Sequence, residues 1–465
     1  MVPRCHSRSS FCCGADRQAD VPRTLVMAVW LSLCGATGLA QTPSSAEQLL
    51  KHLGCAVCHD GLPAETDIRA RAPDLSEAGL RYSPDYLLGF LRYPVRIRQN
   101  MGASRMPNFH LDESETLALT LFLEAQVPAG RQRPDYGPQE NFETAKALHP
   151  EVTASVGEQI FYALNCVACH KQSSVVVWKK KNAPDLSFEG ARVRPDWLAA
   201  YLSAPAPVRS FGFYPGSGSR HPDFHLSERE VEVLTAYLEQ RKGILDSLPR
   251  SFQPKPLLAF AVDKAEQLLK DKLPCLGCHR IGAPGGIVGP DLSSLKTRLR
   301  PDFVYQMVRD PRKVMPETVM PKVDLPPADL ELIVNYLLQQ ELPKQPVSYL
   351  SLVASPPSFH QGVEAGQSLH VKYCAPCHGV RGDAAGYNAG YLPVPPAKHA
   401  DSSYMSTRAD DVLFDAISAG GYVMNKSNRM PAWGSSLGSG EIRTLVAYIR
   451  RLCRCAGPAW SRGTR

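Results

Sequence analysis

The stretch Cys166-Val167-Ala168-Cys169-His170 is one of four copies of the pattern Cys-x-x-Cys-His in this chain. The other three copies are Cys55–His59, Cys275–His279 and Cys374–His378. In this pattern two thiols can add across the vinyl groups of a haem, and the adjacent imidazole is placed as an axial ligand of the iron. Zinc half-sites are the alternative, but a zinc-binding Cys-x-x-Cys pair normally has a second pair or a histidine pair nearby. Each copy here stands alone, so the pattern predicts four covalent haem sites.

The spacing of the copies predicts how the 465 residues are organised. Successive motifs lie 111, 109 and 99 residues apart (166−55, 275−166, 374−275). This regular spacing indicates four small units in series. A unit of this size buries a modest hydrophobic area, so a covalently held porphyrin would supply much of its core. The predicted thioether cysteines are Cys55, Cys58, Cys166, Cys169, Cys275, Cys278, Cys374 and Cys377.

The two ends of the chain carry most of its formal net charge of +7. The leader and the arginines of the C-terminal tail supply most of that charge, so it indicates no nucleic-acid partner. The apolar run 24–34, followed by Gly38-Leu39-Ala40, predicts a signal peptide over residues 1–40. The run is shorter than the roughly 20 residues that a membrane-spanning helix needs. A lipid anchor at Cys34 is the alternative, although the large Leu33 before it is unfavourable.

The first three units repeat each other beyond the haem motif. Each has Pro-Asp-Leu-Ser after the motif, beginning at Pro73, Pro184 and Pro290. Each then has Arg-x-x-Pro-Asp-aromatic, and a proline followed by an acid is typical of a helix start. A final amphipathic helix follows, which in the second repeat begins with a capping box at Ser227 and Glu230. These patterns predict an all-α fold.

Each repeat therefore resembles a class I cytochrome c domain, with one helix before the motif, a middle helix and a closing helix. The resemblance implies four tandem cytochrome c-like domains with four covalently bound haem c groups. We expect domains over 41–130, 143–245, 258–342 and 360–455. In this family a proline carbonyl accepts the ring N–H of the proximal histidine, which matches Pro73, Pro184 and Pro290 and, more weakly, Pro393. Covalent haem attachment outside the bacterial cytoplasmic membrane implies a periplasmic protein.

The sixth iron ligand in this family is usually a methionine that is followed by proline. Met106-Pro107 and Met320-Pro321 lie at the same distance before a leucine, whereas Met315-Pro316 is out of register. Met430 is the candidate in the fourth repeat, with Met424 and Met405 as alternatives. Residues 143–245 contain no methionine, and His221-Pro222 stands in the methionine's register, with His225 as its rival. The expected ligand pairs are His59 with Met106, His170 with His221, His279 with Met320, and His378 with Met430.

These assignments favour an electron carrier over an enzyme, because an iron with both axial positions filled has no place for a substrate. The expected function is electron transfer between redox partner proteins, whose identities the sequence does not give. The second haem, with two imidazoles, should have the lowest potential. The alternatives are a haem enzyme (a peroxidase or a sulfur-compound oxidoreductase) and an electron-accepting subunit of a dehydrogenase or oxidase complex, associated with a membrane respiratory complex. Cys453 and Cys455 should lie past the closing helix, where a disulfide between them would be strained.

Overall fold

A computed structural model describes residues 43–63, 72–94, 105–172, 183–206, 208, 221–243, 252–341 and 364–461. These residues all belong to one compact unit, Pro43–Arg465. The predicted signal peptide and Cys34 lie outside the described residues. Within the described ranges the elements are helices joined by turns, and β-structure is limited to isolated bridges. The predicted all-α fold is therefore confirmed.

The first two repeats contain nine α-helices in their described parts. They are α1 (Pro43–Leu53), α2 (Ala78–Arg81), α3 (Pro84–Arg92), α4 (Glu113–Glu124), α5 (Glu140–Leu148), α6 (Ala154–Ala163), α7 (Glu189–Arg192), α8 (Pro195–Ser203) and α9 (Glu228–Glu239). As predicted, α3 and α8 begin at the prolines of the repeated pattern, Pro84 and Pro195. The start of α3 is also capped, because Ser83 Oγ accepts the backbone N–H of Tyr86 at 3.3 Å. Capping boxes begin α4 and α9, where Asp112 pairs with Glu115 and Ser227 with Glu230.

The described parts of the third and fourth repeats follow the same order of elements. They contain α10 (Ala259–Gln267, continued by a π-helical turn), α11 (Leu295–Arg298), α12 (Pro301–Arg309), α13 (Pro311–Val314), α14 (Pro327–Gln339), α15 (Ala365–Tyr373), α16 (Ala375–His378), α17 (Ser402–Ser406), α18 (Asp410–Val423) and α19 (Ser439–Cys453). In each of these two repeats the helix before the haem motif packs on the closing helix of the same repeat. The pairs are α10 with α14, and α15 with α19.

The first two repeats exchange these helices. Helix α1 of the first repeat packs on α9, the closing helix of the second repeat. Helix α6 of the second repeat packs on α4, the closing helix of the first repeat. Gly157 of α6 makes the second crossing close, because a Cβ there would lie 1.8 Å from the carbonyl oxygen of Ala118. Each closing helix is thus paired with the helix that precedes the other repeat's motif.

Backbone hydrogen bonds around the haem motifs show the same exchange. In the third repeat, the N–H of Leu292 donates to the carbonyl of Arg280, two residues after Cys278. The equivalent bonds in the first two repeats join Leu186 N–H to Asp60 O at 3.0 Å, and Leu75 N–H to Lys171 O at 2.9 Å. Equivalent residues are therefore hydrogen-bonded in all three repeats. In the third repeat both partners belong to the same repeat, whereas in the first two the partner comes from the other repeat.

The described residues thus form four modules. Module A is the single stretch 72–172, module B combines 43–63 with 183–243, module C is 252–341, and module D is 364–461. The structure therefore differs from the expectation that 41–130 and 143–245 would each close on their own core. The physical reason is that the first two repeats carry the same contacting residues, so that either closing helix accepts either motif helix. The outer limits of the predicted domains stay a prediction.

The two C-terminal cysteines also differ from expectation. Cys453 is the last residue of α19 and is 3% exposed, so it belongs to the core of module D rather than to a segment past the helix. It forms a disulfide with Cys455, and their Cα atoms lie 5.2 Å apart. The left-handed conformation of Arg454, with a φ of 50°, turns the chain back toward the helix and brings the two sulfur atoms together.

Candidate haem centres

Each Cys-x-x-Cys-His motif forms a single helical turn. The histidine N–H donates to the carbonyl of the first cysteine in all four copies, at 3.0 Å for His59 and 2.9 Å for His170, His279 and His378. A left-handed residue precedes two of the turns, with a φ of 72° at Gly54 and 58° at Asn165. One turn of helix brings the first cysteine and the histidine, four residues apart, onto the same side.

The motif thiols are enclosed in protein. Burial, followed by the neighbouring cysteine, raises the pKa of Cys55 and of Cys166 to about 12. Burial likewise raises the pKa of Cys374 to about 12. At neutral pH these thiols are therefore protonated. A buried cysteine pair one helical turn from an oriented imidazole fits the two thioether positions of a haem.

The four motif histidines make the same second contact. The ring Nδ1–H donates to a backbone carbonyl, which leaves Nε2 for a metal. The pairs are His59 with Pro184 at 2.7 Å, His170 with Pro73 at 3.0 Å, His279 with Pro290 at 2.8 Å, and His378 with Ala397 at 2.8 Å. The three prolines expected in the first three repeats do provide the acceptor carbonyls. Pro73 and Pro184, however, each accept from the histidine of the other repeat.

The fourth repeat corrects one expectation, since Ala397 and not Pro393 provides the carbonyl for His378. The acceptor lies 19 residues after the histidine there, compared with 11 residues in the third repeat. The proline-rich stretch 392–396 falls within this longer loop, so the acceptor is displaced past the prolines. A pattern based on proline therefore missed it.

A connected cavity of about 1460 Å³ reaches all four motif histidines. Its lining is largely apolar, and in module C the ring of His279 packs against the backbone of Gly289. A Cβ at Gly289 would lie only 2.4 Å from an atom of that ring, so the site requires glycine there. An apolar cavity with a cysteine pair and an oriented imidazole at each position fits a porphyrin with iron. When bound, haem would supply a reversible one-electron iron couple.

His221 lies opposite His59, and not opposite His170. The two ring centroids are 6.1 Å apart. Two imidazoles on opposite sides of one metal should be separated by about 6 Å, given metal–nitrogen bonds of about 2 Å and the size of the rings. Burial, followed by the nearby His59, lowers the pKa of His221 to about 4, so the imidazole is neutral and can act as a ligand at neutral pH.

His225, the rival of His221, has a different role. Its side chain is 53% exposed and lies 3.3 Å from a carboxylate oxygen of Asp223. Its backbone is left-handed, with a φ of 49°, as is that of its counterpart His110, with a φ of 50°. In both turns the N–H of the histidine donates to the side chain two residues before it, Asp223 or Asn108. His225 and His110 therefore shape turns at the surface.

The predicted methionine ligands lie in three of the modules. Met106 packs in the core that contains Cys166, so it accompanies the second motif and not the first. Met430 packs in the core that contains Cys374, together with the more deeply buried Met405. Met315 and Met320 both line the cavity in module C. The choice of Met320, like that of Met430, stays a prediction.

A buried arginine pair is a feature of the site that sequence reasoning missed. Arg192 and Arg298 are the first residues of the repeated helix-start pattern, and both line the cavity with Glu189. Arg192 pairs with Glu189 at 2.5 Å, while Nε of Arg192 and Nη2 of Arg298 are enclosed and have no hydrogen-bond partner among the described residues. Burial, followed by Arg192, lowers the pKa of Arg298 to about 10. Two guanidinium groups with one carboxylate favour a further anion, which fits the propionates of haem.

Two buried histidines, His399 and His370, lie close to the motif histidine His378 in module D. The ring of His399 stacks on that of His378, with centroids 4.0 Å apart and an interplanar angle of 14°. The Nε2 atom of His370 lies 3.1 Å from Nδ1 of His399, and His370 is 0% exposed. The stacked ring holds His378 in one orientation. No sequence pattern identified the pair, because the two residues lie 29 positions apart in the chain.

These features define a class of helical proteins that hold haem covalently through Cys-x-x-Cys-His. Comparison with protein families agrees. Residues 154–242 match the cytochrome c family, and residues 261–337 and 361–449 match subunit III of cbb3-type cytochrome c oxidase. The chain is a c-type cytochrome with several cytochrome c-like domains, and it transfers electrons through covalently bound haem c. Neither a curated protein nor a solved structure matched it as a relative.

Proposed function

We propose that the protein is an exported four-haem cytochrome that passes electrons between redox partner proteins. The observation that carries this proposal is the repeated contact between each of the four motif histidines and a backbone carbonyl. That contact orients the ring and sets its tautomer, so that Nε2 carries the lone pair that could bind iron. Because it occurs four times along one connected cavity, all four motifs are candidates for haem.

The proposed axial ligands follow the exchanged packing. His59 is paired with His221, His170 with Met106, His279 with Met320, and His378 with Met430. The 6.1 Å separation of the His59 and His221 rings supports the first pair, and the shared core of Met106 and Cys166 supports the second. A second imidazole stabilises ferric iron, whereas a thioether raises the potential. The first haem, rather than the second, is therefore expected to have the lowest potential.

The proposed location is the periplasm, on the basis of the leader and of the haem chemistry. No helix in the described ranges is long and apolar enough to span a bilayer. Modules C and D match domains of an oxidase subunit, which supports association with a membrane respiratory complex as the proposed setting. The donor and acceptor would be redox proteins, and we propose no nucleic-acid partner.

Haem stoichiometry tests the proposal. The matured protein should contain four haems per chain, measured as the pyridine haemochrome in alkali and as the mass of the intact chain. Replacing Cys275 and Cys278 together by alanine should remove one haem, and the mass should fall by one haem, iron included, and by the two cysteine sulfur atoms. A ratio of three or fewer in matured wild-type protein would overturn the four-haem proposal.

Carbon monoxide distinguishes the carrier from a haem enzyme. If both axial positions of every iron are filled, the reduced protein should not bind carbon monoxide at neutral pH, and peroxide should not be turned over. His221→Ala should open a binding position on one haem, whereas the matched change His225→Ala should not. Rapid binding by the wild-type protein would favour the enzyme alternative.

A further inference from the structure

The order in which the haem centres lie in space can be read from the contacts between modules. Modules A and B carry the second and first motifs, respectively, against their own closing helices, and modules C and D carry the third and fourth. The contacts of the described residues connect A with B, B with C, and C with D. Each of these three junctions lies beside a haem motif or lines the haem cavity.

The junction of A and B brings the first two motifs together. The side-chain amide of Asn165, which directly precedes Cys166, lies 3.6 Å from the sulfur atom of Cys58. At the same junction, Asn108 and Asp223 exchange two backbone hydrogen bonds of 2.7 Å. Arg105 of A also forms an ion pair of 2.7 Å with Glu230 of B. The first and second motifs therefore lie beside each other, and the haems that they would hold would be neighbours.

The junction of B and C connects the first haem centre with the third. Val193 and Leu299 occupy equivalent positions of the second and third repeats, and they form an antiparallel bridge. The N–H of Arg194 donates to Arg298 O, and the N–H of Arg300 donates to Arg192 O, both at 3.0 Å. The bridge places Arg192 and Arg298 side by side at the cavity. Because module B holds the first motif, the third haem has the first as its neighbour.

The junction of C and D contains a buried asparagine that contacts both motifs. Asn388 is 0% exposed. Its Nδ2 donates to the carbonyl of Gly277 at 2.8 Å and lies 3.2 Å from the sulfur of Cys377, and its Oδ1 accepts the N–H of Ile287 at 2.8 Å. Gly277 directly precedes Cys278. A short path of covalent and hydrogen bonds thus joins the thioether positions of the third and fourth haems.

We propose that the haems form a single file in the order second, first, third, fourth, with Asn388 as the connecting residue of the last step. This inference rests on the proposed four-haem function. Each transfer oxidises one haem iron as it reduces the next, and no bond forms or breaks. The low-potential centre of His59 and His221 then lies inside the file, between the second and third haems. If the haems instead followed the order of their motifs in the sequence, the centre of His59 and His221 would lie at one end of the file.

Redox interactions between haems test the order in the unmodified protein. Oxidising one haem adds a charge that raises the potential of its neighbours, and the effect decreases with distance. A redox titration followed by NMR of the haem methyl groups gives each pairwise interaction. We expect a stronger interaction between the first and third haems than between the second and third. The reverse ranking would overturn the order, while fewer than four haems would overturn the proposed function instead.

Asn388→Leu tests the connecting residue. The variant removes the link between Gly277 and Cys377 and should slow electron exchange between the third and fourth haems, read from NMR linewidths in partly reduced protein. Asn335→Leu is the matched control. Asn335 is likewise buried, in module C, and its hydrogen bonds within the described residues join it to Lys255 N–H and Glu331 O, away from the cysteines. Equal slowing in both variants, or slowing in neither, would contradict the role of Asn388.

Discussion

Modules A and B differ from modules C and D in the source of the helix that carries the haem motif. In C and D the motif histidine bonds to a carbonyl 11 or 19 residues later in the same repeat. In A and B the partners are 97 and 125 residues apart in the chain. The local contacts are nevertheless the same. The same residue types thus make the same contact, whichever repeat supplies the partner.

The exchange has an energetic consequence for the N-terminal half. Closing a longer loop costs only slightly more chain entropy, so contacts over about 100 residues are tolerated. Module A is one continuous stretch and can close on its own, whereas module B needs two segments that lie on either side of module A in the chain. The loop that module B closes therefore contains module A, while C and D keep all of their helices within one repeat each.

Of the substitutions that test the exchanged packing, Gly157→Ala should cause the largest loss of stability. The added Cβ would lie 1.8 Å from Ala118 O, at the crossing of α6 and α4, so the variant should lose about 3 kcal/mol of unfolding free energy. Hydrogen exchange should show that protection is lost in residues 113–124. Loss of protection in 228–239 instead would show that α6 packs within its own repeat, against the exchange.

Two glycines control for that result. Gly89 lies in α3, and apart from the neighbouring backbone of that helix no atom of the described residues lies within 4 Å of an added Cβ. Gly89→Ala should therefore stabilise module A by about 0.5 to 1 kcal/mol. Gly366→Ala tests the equivalent crossing in module D, where the added atom would lie 2.8 Å from the Cβ of Tyr448. Its effect should be confined to module D.

Acid should destabilise module D through His370, a buried histidine outside the haem motif. Burial lowers the pKa of His370 from 6.5 to about 4, so the unfolded chain binds a proton that the folded chain does not bind between these values. Stability is therefore full above pH 6.5 and falls as the pH decreases toward 4. The loss from His370 alone should be about 2 kcal/mol between pH 7 and pH 5.

Denaturant unfolding at the two pH values, followed by hydrogen exchange of residues 365–373, measures this loss. The variant His370→Phe should reduce the pH dependence of module D while leaving that of module A unchanged. A wild-type module D with equal stability at pH 7 and pH 5 would contradict the account of a buried neutral histidine.

Loss of the ion pair of Arg105 with Glu230 should change stability less than Gly157→Ala or acid titration of His370. The two mostly buried side chains join modules A and B at 2.7 Å, and Arg105→Ala should cost about 1 kcal/mol. Because the pair bridges the modules, the loss should appear in both A and B in denaturant unfolding followed by hydrogen exchange. The exposed pair of Lys296 with Glu341, within module C, is the control, and its loss by Lys296→Ala should have little effect. A loss confined to one module would contradict the bridging role.

Much of this structure could be predicted from the sequence because its signals are local. The four motifs, the prolines of the first three repeats, the capping boxes and the register that singled out His221 each depend on a few neighbouring residues. The exchange was not predictable in this way, since the first two repeats present the same contacts. Ala397 was missed because a carbonyl carries no side-chain signal. Asn388, Arg298 and His399 act through contacts between segments distant in the chain.

The central claim is that His221 faces the first motif and Met106 the second, and one variant of the full chain tests it most directly. Replacing Cys166 and Cys169 by alanine should leave three haems. We predict that the ferric low-spin electron paramagnetic resonance signal of the haem with two histidine ligands persists, while the methionine–iron charge-transfer absorption falls by about one third. Loss of the bis-histidine signal with an unchanged methionine band would contradict the exchange.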